Sequence, residues 1–277
     1  MVTHDPHYDH DDFGGLHRDL MATAAAMNRR ALLRLAARFG VGAGALQLFG
    51  CGAGAATAPS GVTTSPTGSS SCSTIPNETA GPFPGNGTNG PNVLTLSGVE
   101  RSDIRSSFAG LNGTADGVPL SIVLTIVSAA TCAPLAGSAV YMWHCDRPGR
   151  YSLYSSGVTN QNYLRGVQQA DASGKVSFSS IYPGCYAGRW PHIHFEVYPS
   201  LSAATSASNK RATSQIALPK EASDQVYATP GYEASVTNLN RVTLSSDSVF
   251  SDGAALELAT MTGSAFPGFT ATLTVGV

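Results

Sequence analysis

The sequence predicts an all-β protein, a sandwich of mixed short strands with long connecting loops and one short helix. Three observations predict it. Short runs rich in β-branched and aromatic residues recur through the later two thirds of the chain. Turn signals separate them, drawn from 30 Gly and 16 Pro among 277 residues. No heptad run or internal repeat competes with that pattern. Hydrophobic residues make up 42% and charged residues 12%, enough apolar material for a sizeable core. A formal net charge of −2, without a basic patch interleaved with aromatics, gives no footing for a nucleic-acid partner.

Taken in order, residues 1–26 are rich in Asp and His and fit no export signal. His4, His7, His10 and His17 read as part of a solvated tail, ahead of a true start at Met27 or Met21. From Met27 to Cys51 the chain runs from paired arginines through an apolar stretch to a closing cysteine. Residues 39–50 are too few to span a bilayer and read as the apolar region of an export signal. Asn28-Arg29-Arg30-Ala31-Leu32-Leu33-Arg34 resembles a twin-arginine signal. Leu48-Phe49-Gly50-Cys51 resembles a lipobox that would make Cys51 a lipid anchor; a plain amphipathic helix with a stray cysteine is the other reading. The expectation is an exported protein of the cell envelope, periplasm or exterior, touching membrane only through Cys51. Residues 52–71 are Gly, Ala, Thr, Ser and Pro with almost no large apolar side chain, a flexible tether, and the globular domain is expected over 72–277.

Within that domain 77–92 is turn-rich surface chain, and strands are expected at LSIVLTIVSAA (120–130), SAVYMWHC (138–145), KVSFSSIY (175–182), HIHFEVYP (192–199), SQIAL (214–218) and TATLTV (270–275). Turns fall at 133–137, 171–174 and Pro183-Gly184, and the short helix at about 219–227. Cys72, Cys132, Cys145 and Cys185 allow three pairings in an exported chain. Cys132 with Cys145 is disfavoured, because those two stand at opposite ends of one expected strand.

The chemistry centres on His192-Ile193-His194. Residues i and i+2 of a strand share a face, so the two imidazoles project side by side, as one metal ion requires. A polar strand face accounts equally for an isolated His-x-His. Glu196 continues the face, yet lies about 13 Å along the strand from His192, too far for one ion. Tyr186, on the turn before the strand, and Tyr151 and Tyr154, after the Trp143-His144-Cys145 strand end, are better donors. Two phenolates with two imidazoles would favour Fe(III), because a phenolate is a hard anionic donor.

The motifs Trp143-His144-Cys145-Asp146, Gly149-Arg150-Tyr151-Ser152, YLRGVQ (163–168), IYPGCY (181–186) and GRWPHIH (188–194) follow one another as in the intradiol ring-cleavage dioxygenases. ETAGPF (78–83), TSQ (213–215) and VYATPGY (226–232) resemble the secreted branch of that family, and the resemblance covers 72–277. It implies a non-haem Fe(III) held by Tyr151, Tyr186, His192 and His194, with Tyr186 and His194 axial and Tyr151 and His192 equatorial. It implies that Tyr186 leaves the metal to take a substrate proton. It gives Arg189 the role of stabilising negative charge on the ring, and Gln215 that of lining the pocket for substrate and O2. Substrates would be a small aromatic diol and O2, and the product a muconic-type diacid. Within the frames G-x-Y-S and P-G-x-Y, Tyr151 is preferred to Tyr154 and Tyr186 to Tyr182. His144 reads as structural or supporting, Trp190 as shaping the pocket or packing, and Cys185 as open to a bridge with Cys145. Two other classes stay in view: a divalent-metal enzyme using the same histidines with Glu196 or Asp146, and a non-catalytic β-sandwich binding module whose tyrosines and histidines do not converge.

Overall fold

Alternation of apolar and polar residues sets the first sheet. In the computed structural model, which describes residues 72–277, strand β1 (Pro119–Val127) buries Leu120, Ile122, Leu124 and Ile126 on one face and turns the residues between them outward. The expected export signal, the Cys51 anchor and the tether lie outside the described residues. β1 pairs antiparallel with β4 (Lys175–Ile181) and parallel with β8 (Gly268–Gly276), and β8 pairs antiparallel with β7 (Thr260–Ser264). The sheet order is β4-β1-β8-β7.

The second sheet has the order β3-β2-β5-β6 and is antiparallel throughout. It comprises β2 (Ala139–Trp143), β3 (Arg165–Gln169), β5 (His192–Tyr198) and β6 (Ala212–Ala217). Val140, Met142, Ile193, Phe195, Val197 and Ile216 face the first sheet and meet Ile122, Leu124, Ile126, Phe178, Phe269 and Val275 in the main core. The sandwich is the expected all-β fold, with strands in mixed directions.

β5 is buried along its whole length, so its other face is covered too. A second apolar cluster lies there, built on Val93, Leu94, Phe108, Tyr141, Trp143, Tyr151 and Val167. The incoming chain supplies the cover: Tyr141 Oη donates to the Pro84 carbonyl, Asn86 Nδ2 to Glu196, and Gly85 N–H to Tyr154 Oη.

Two short α-helices are present among the described residues. α1 (Lys220–Tyr227) is the expected one; α2 (Glu233–Leu239) was not anticipated, and neither has a side-chain cap on its first turn. None of the described helices is long and apolar enough to cross a membrane. Cys72 is bridged to Cys132. The bridge considered between Cys145 and Cys185 is absent: both thiols are free and buried. Their surroundings differ, since Cys145 packs in the outer cluster with its Sγ 3.3 Å from the Gly184 carbonyl, while Cys185 sits in the inter-sheet core with its Sγ 3.4 Å from the Arg189 carbonyl.

Candidate metal centre

Three local devices deliver the four candidate donors: the loop after β2, the turn before β5, and β5 itself. The loop after β2 is closed by Asp146, whose carboxylate accepts the Arg150 backbone N–H at 2.8 Å, pairs with the Arg150 guanidinium and accepts from Tyr163 Oη at 3.0 Å. The Gly184 N–H donates to the Asp146 carbonyl, tying this loop to the turn before β5. Gly149 stands at φ +92°, and a Cβ there would lie 3.3 Å from Tyr186 Cβ. The glycine therefore lets the Tyr151 loop and the Tyr186 turn approach each other. Tyr151 N–H donates to Ser155 Oγ, and its ring packs 5.1 Å from that of Phe83.

His192 and His194 stand on the outer face of β5, opposite Ile193, as their spacing requires. His192 Nδ1 lies 2.6 Å from the Trp190 carbonyl. A carbonyl can only accept, so the proton is on Nδ1 and Nε2 keeps a bare lone pair. His194 stacks flat on Trp143, with ring centres 5.0 Å apart and planes 4° from parallel. Burial holds both imidazoles well below the usual histidine range, helped at His192 by Arg189 and at His194 by His192 and Arg189. Both are therefore neutral and able to donate lone pairs.

The four candidate ligands converge. Tyr186 Oη is 3.0 Å from His192 Nε2, the two Nε2 atoms are 3.2 Å apart, Tyr151 Oη is 3.4 Å from His192 Nε2, and the two phenol oxygens are 3.5 Å apart. Nitrogen and oxygen donors about 2 Å from one shared ion stand roughly 3–4 Å from each other, and these four separations are of that size. The residues present fit a metal ion.

Behind them is a buried polar layer. Arg189 donates from Nε to Asp247 Oδ2 at 3.0 Å and from Nη2 to Gln215 Oε1 at 2.7 Å, and Gln215 Nε2 donates to the Thr79 carbonyl at 2.9 Å. Gln215 is the cross-strand partner of His194. Arg165 is also fully buried; it donates to the Phe83, Pro84 and Ser152 carbonyls and to the hydroxyls of Ser152 and Tyr141, fastening the incoming chain to the Tyr151 loop. Asp247 was not singled out from the sequence, Arg165 entered only within the YLRGVQ motif, and Asp146 entered as an alternative metal donor and not as the anchor of the Tyr151 loop. An arginine inside a strand was the available sign for Arg165; nothing local marks Asp247.

The remaining candidates lie elsewhere. Tyr154 Oη donates to the Asn89 carbonyl, away from the histidines. Tyr182 bonds Ser223 in the main core. Glu196 is engaged by Asn86, Tyr198 and Lys210, and Trp190 packs in the core while donating to the Leu218 carbonyl. His144 joins Ser180 Oγ to the Cys145 carbonyl. Among the described residues no group of three or more His, Cys, Asp and Glu side chains gathers as a possible metal site. A site completed by Glu196 or Asp146 thus has no geometric support.

Residues 90–197 match the Dioxygenase family model, a span that holds Tyr151, Tyr186, Arg189, His192 and His194. Over those 108 of its 277 residues the chain is similar to that family. Among solved structures, an intradiol ring-cleavage dioxygenase from Tetranychus urticae is 22% identical with a TM-score of 0.57, over 74% of this chain and 94% of that one. The dioxygenase domain of a carbohydrate-binding fusion protein from the cellulolytic bacterium Streptomyces sp. SirexAA-E is 21% identical with a TM-score of 0.47, over 74% and 98%. A 3-chlorocatechol 1,2-dioxygenase from Rhodococcus opacus 1CP is 16% identical with a TM-score of 0.45, over 72% and 70%. The first of these carries a likeness of fold. No curated protein matches the chain. The matched segment thus holds every candidate ligand, and Gln215 and Asp247 complete the layer behind them from beyond it.

Proposed function

We propose that this oxidoreductase is an Fe(III)-dependent intradiol dioxygenase that opens a catechol-type ring between its two hydroxylated carbons. The observation that carries the reading is the convergence of two phenols and two neutral imidazoles at 3.0–3.5 Å. Tyr151, Tyr186, His192 and His194 would hold the ion, and phenolates favour the ferric over the ferrous state. Bound there, Fe(III) would act as a Lewis acid on the diol oxygens and make the ring reactive toward O2.

This chain's residues supply the rest. Tyr186 is the half-buried member of the donor set, so its oxygen is the one positioned to exchange with substrate and to take a diol proton. Arg189 is held in a buried setting where its charge opposes negative charge developing on the ring with little screening by water. Gln215 orients that guanidinium and borders the same space. Both atoms of O2 end in the carboxyls of the muconic-type diacid, so the reaction needs no external reductant. The proposal extends to location: an exported domain on a tether, with Cys51 as a lipid anchor.

Purified protein loaded with iron is expected to show a broad visible absorption from tyrosinate-to-Fe(III) charge transfer and to consume catechol and O2 in equal amounts. Tyr186→Phe is expected to weaken the band and lower turnover by about 100-fold or more. A colourless protein carrying stoichiometric zinc, or full activity in Tyr186→Phe, would overturn the reading.

A further inference from the structure

Asp247 lies 58 residues beyond Arg189 in sequence and is fully buried against it. Its carboxylate is fixed from both sides. Oδ1 accepts the backbone N–H groups of Val249 and Phe250 at 2.8 and 3.1 Å, so the chain around Asp247 dictates its orientation. Oδ2 accepts Arg189 Nε at 3.0 Å and the Trp190 N–H at 2.6 Å. Residue 190 is thus pinned at its nitrogen by Asp247, while its carbonyl holds His192 Nδ1 at 2.6 Å. One carboxylate governs both the guanidinium and the backbone that orients a candidate ligand.

Charge neutralisation alone does not account for it. Arg165 is equally buried, and every partner named for its guanidinium is a carbonyl or a hydroxyl, so this fold accommodates a buried arginine without an acid. At Arg189 the carboxylate has two further consequences. It offsets a cation that would otherwise repel a metal ion nearby. It also grips the guanidinium at Nε while Gln215 grips it at Nη2, which removes rotation about the side chain's end. We propose that Asp247 is a positioning residue of the candidate centre, setting Arg189 directly and His192 through the Trp190 backbone. The inference rests on the dioxygenase reading for its catalytic consequence, though not for its geometry.

Asp247→Asn tests it, because the amide oxygen can still accept from Val249 and Phe250 while its nitrogen cannot accept from Arg189. In metal-free protein followed by 15N NMR, the Arg189 Nε–H is expected to exchange at least about 10-fold faster in the variant. In iron-loaded protein, kcat per iron is expected to fall about 10- to 100-fold, with KM for catechol changed less than about 3-fold and the visible band retained. In an Arg189→Lys background the same substitution is expected to lower kcat by a smaller factor than in the wild type, because the part of the effect that acts through Arg189 is already lost. Unchanged Nε exchange, or a lowered Tm with kcat per iron intact, would make Asp247 a folding staple and overturn the proposal, as would additive losses in the double variant. If Asp247→Asn does not fold, Asp247→Glu, which keeps the charge but moves it by one methylene, is read by the same criteria. If the wild-type protein shows neither band nor turnover, the dioxygenase reading fails, while Arg189 Nε exchange still decides whether Asp247 holds Arg189.

Discussion

The His144 ring joins Ser180 Oγ at 2.7 Å to the Cys145 carbonyl at 2.8 Å, so both of its nitrogens are engaged with groups other than the candidate donors. Burial pushes it down to about 4, against the hydrogen bond to the Cys145 carbonyl and with the help of Arg165. The folded state therefore keeps His144 neutral while the unfolded chain takes up a proton near pH 6.5. Stability from this group is complete above about pH 6.5, and on the order of 3 kcal/mol is lost as pH falls to about 4. Denaturant unfolding of wild type and His144→Gln across pH 4–7 isolates the contribution, since the other groups cancel; parallel curves would refute it. At this scale the convergence of the four candidate donors was legible. Period-two spacing puts His192 and His194 on one face in any strand, and the frames around Tyr151 and Tyr186 separate them from Tyr154 and Tyr182. Asp247 was not legible, because its partner is chosen by a tertiary contact across 58 residues.

Among the elements, β1, β4 and β5 announce themselves through alternating or continuous burial of β-branched and aromatic side chains. β3 does not: Arg-Gly-Val-Gln-Gln carries one β-branched residue, and its arginine is accommodated by carbonyls that no local pattern reveals. β7 is Thr-Met-Thr-Gly-Ser, mostly exposed at the sheet edge, and α2 is seven residues without a capping side chain. The disulfide belongs to this scale as well. Cys72–Cys132 closes a separation of 60 residues and joins the incoming chain to the turn after β1. Beside it Ile75 N–H donates to the Gly276 carbonyl of β8. Cross-linking such a loop stabilises by about 4 kcal/mol on the chain-entropy account. Reduction, or Cys72→Ser with Cys132→Ser, is expected to lower the unfolding free energy by about that amount. The visible band should survive, because neither cysteine touches the donor set. Loss of the band in a folded double variant would show that the bridge holds the centre's cover in place.

Across the whole molecule the two sheets are unequal. The candidate donors come from the loop after β2, the turn before β5 and β5 itself, all on the outer face of the β3-β2-β5-β6 sheet, and the chain of 78–94 is sewn over that face. The β4-β1-β8-β7 sheet supplies core and no donor. An ion held at 151, 186, 192 and 194 would cross-link three segments on one side of the sandwich and leave the other side untouched. Its binding free energy then adds to stability by mass action, about 3–4 kcal/mol at a hundred to a thousand times Kd. Reducing the iron and removing it with a chelator is expected to abolish the colour and lower Tm by about 10 °C for a domain of this size. Hydrogen exchange separates a local clamp from general stiffening: it should quicken at 146–154, 183–194 and the overlying 78–94, and hold steady along β1 and β8. A uniform increase through both sheets would mean that the metal stabilises the fold globally, and no change at all would mean that these four side chains hold no ion.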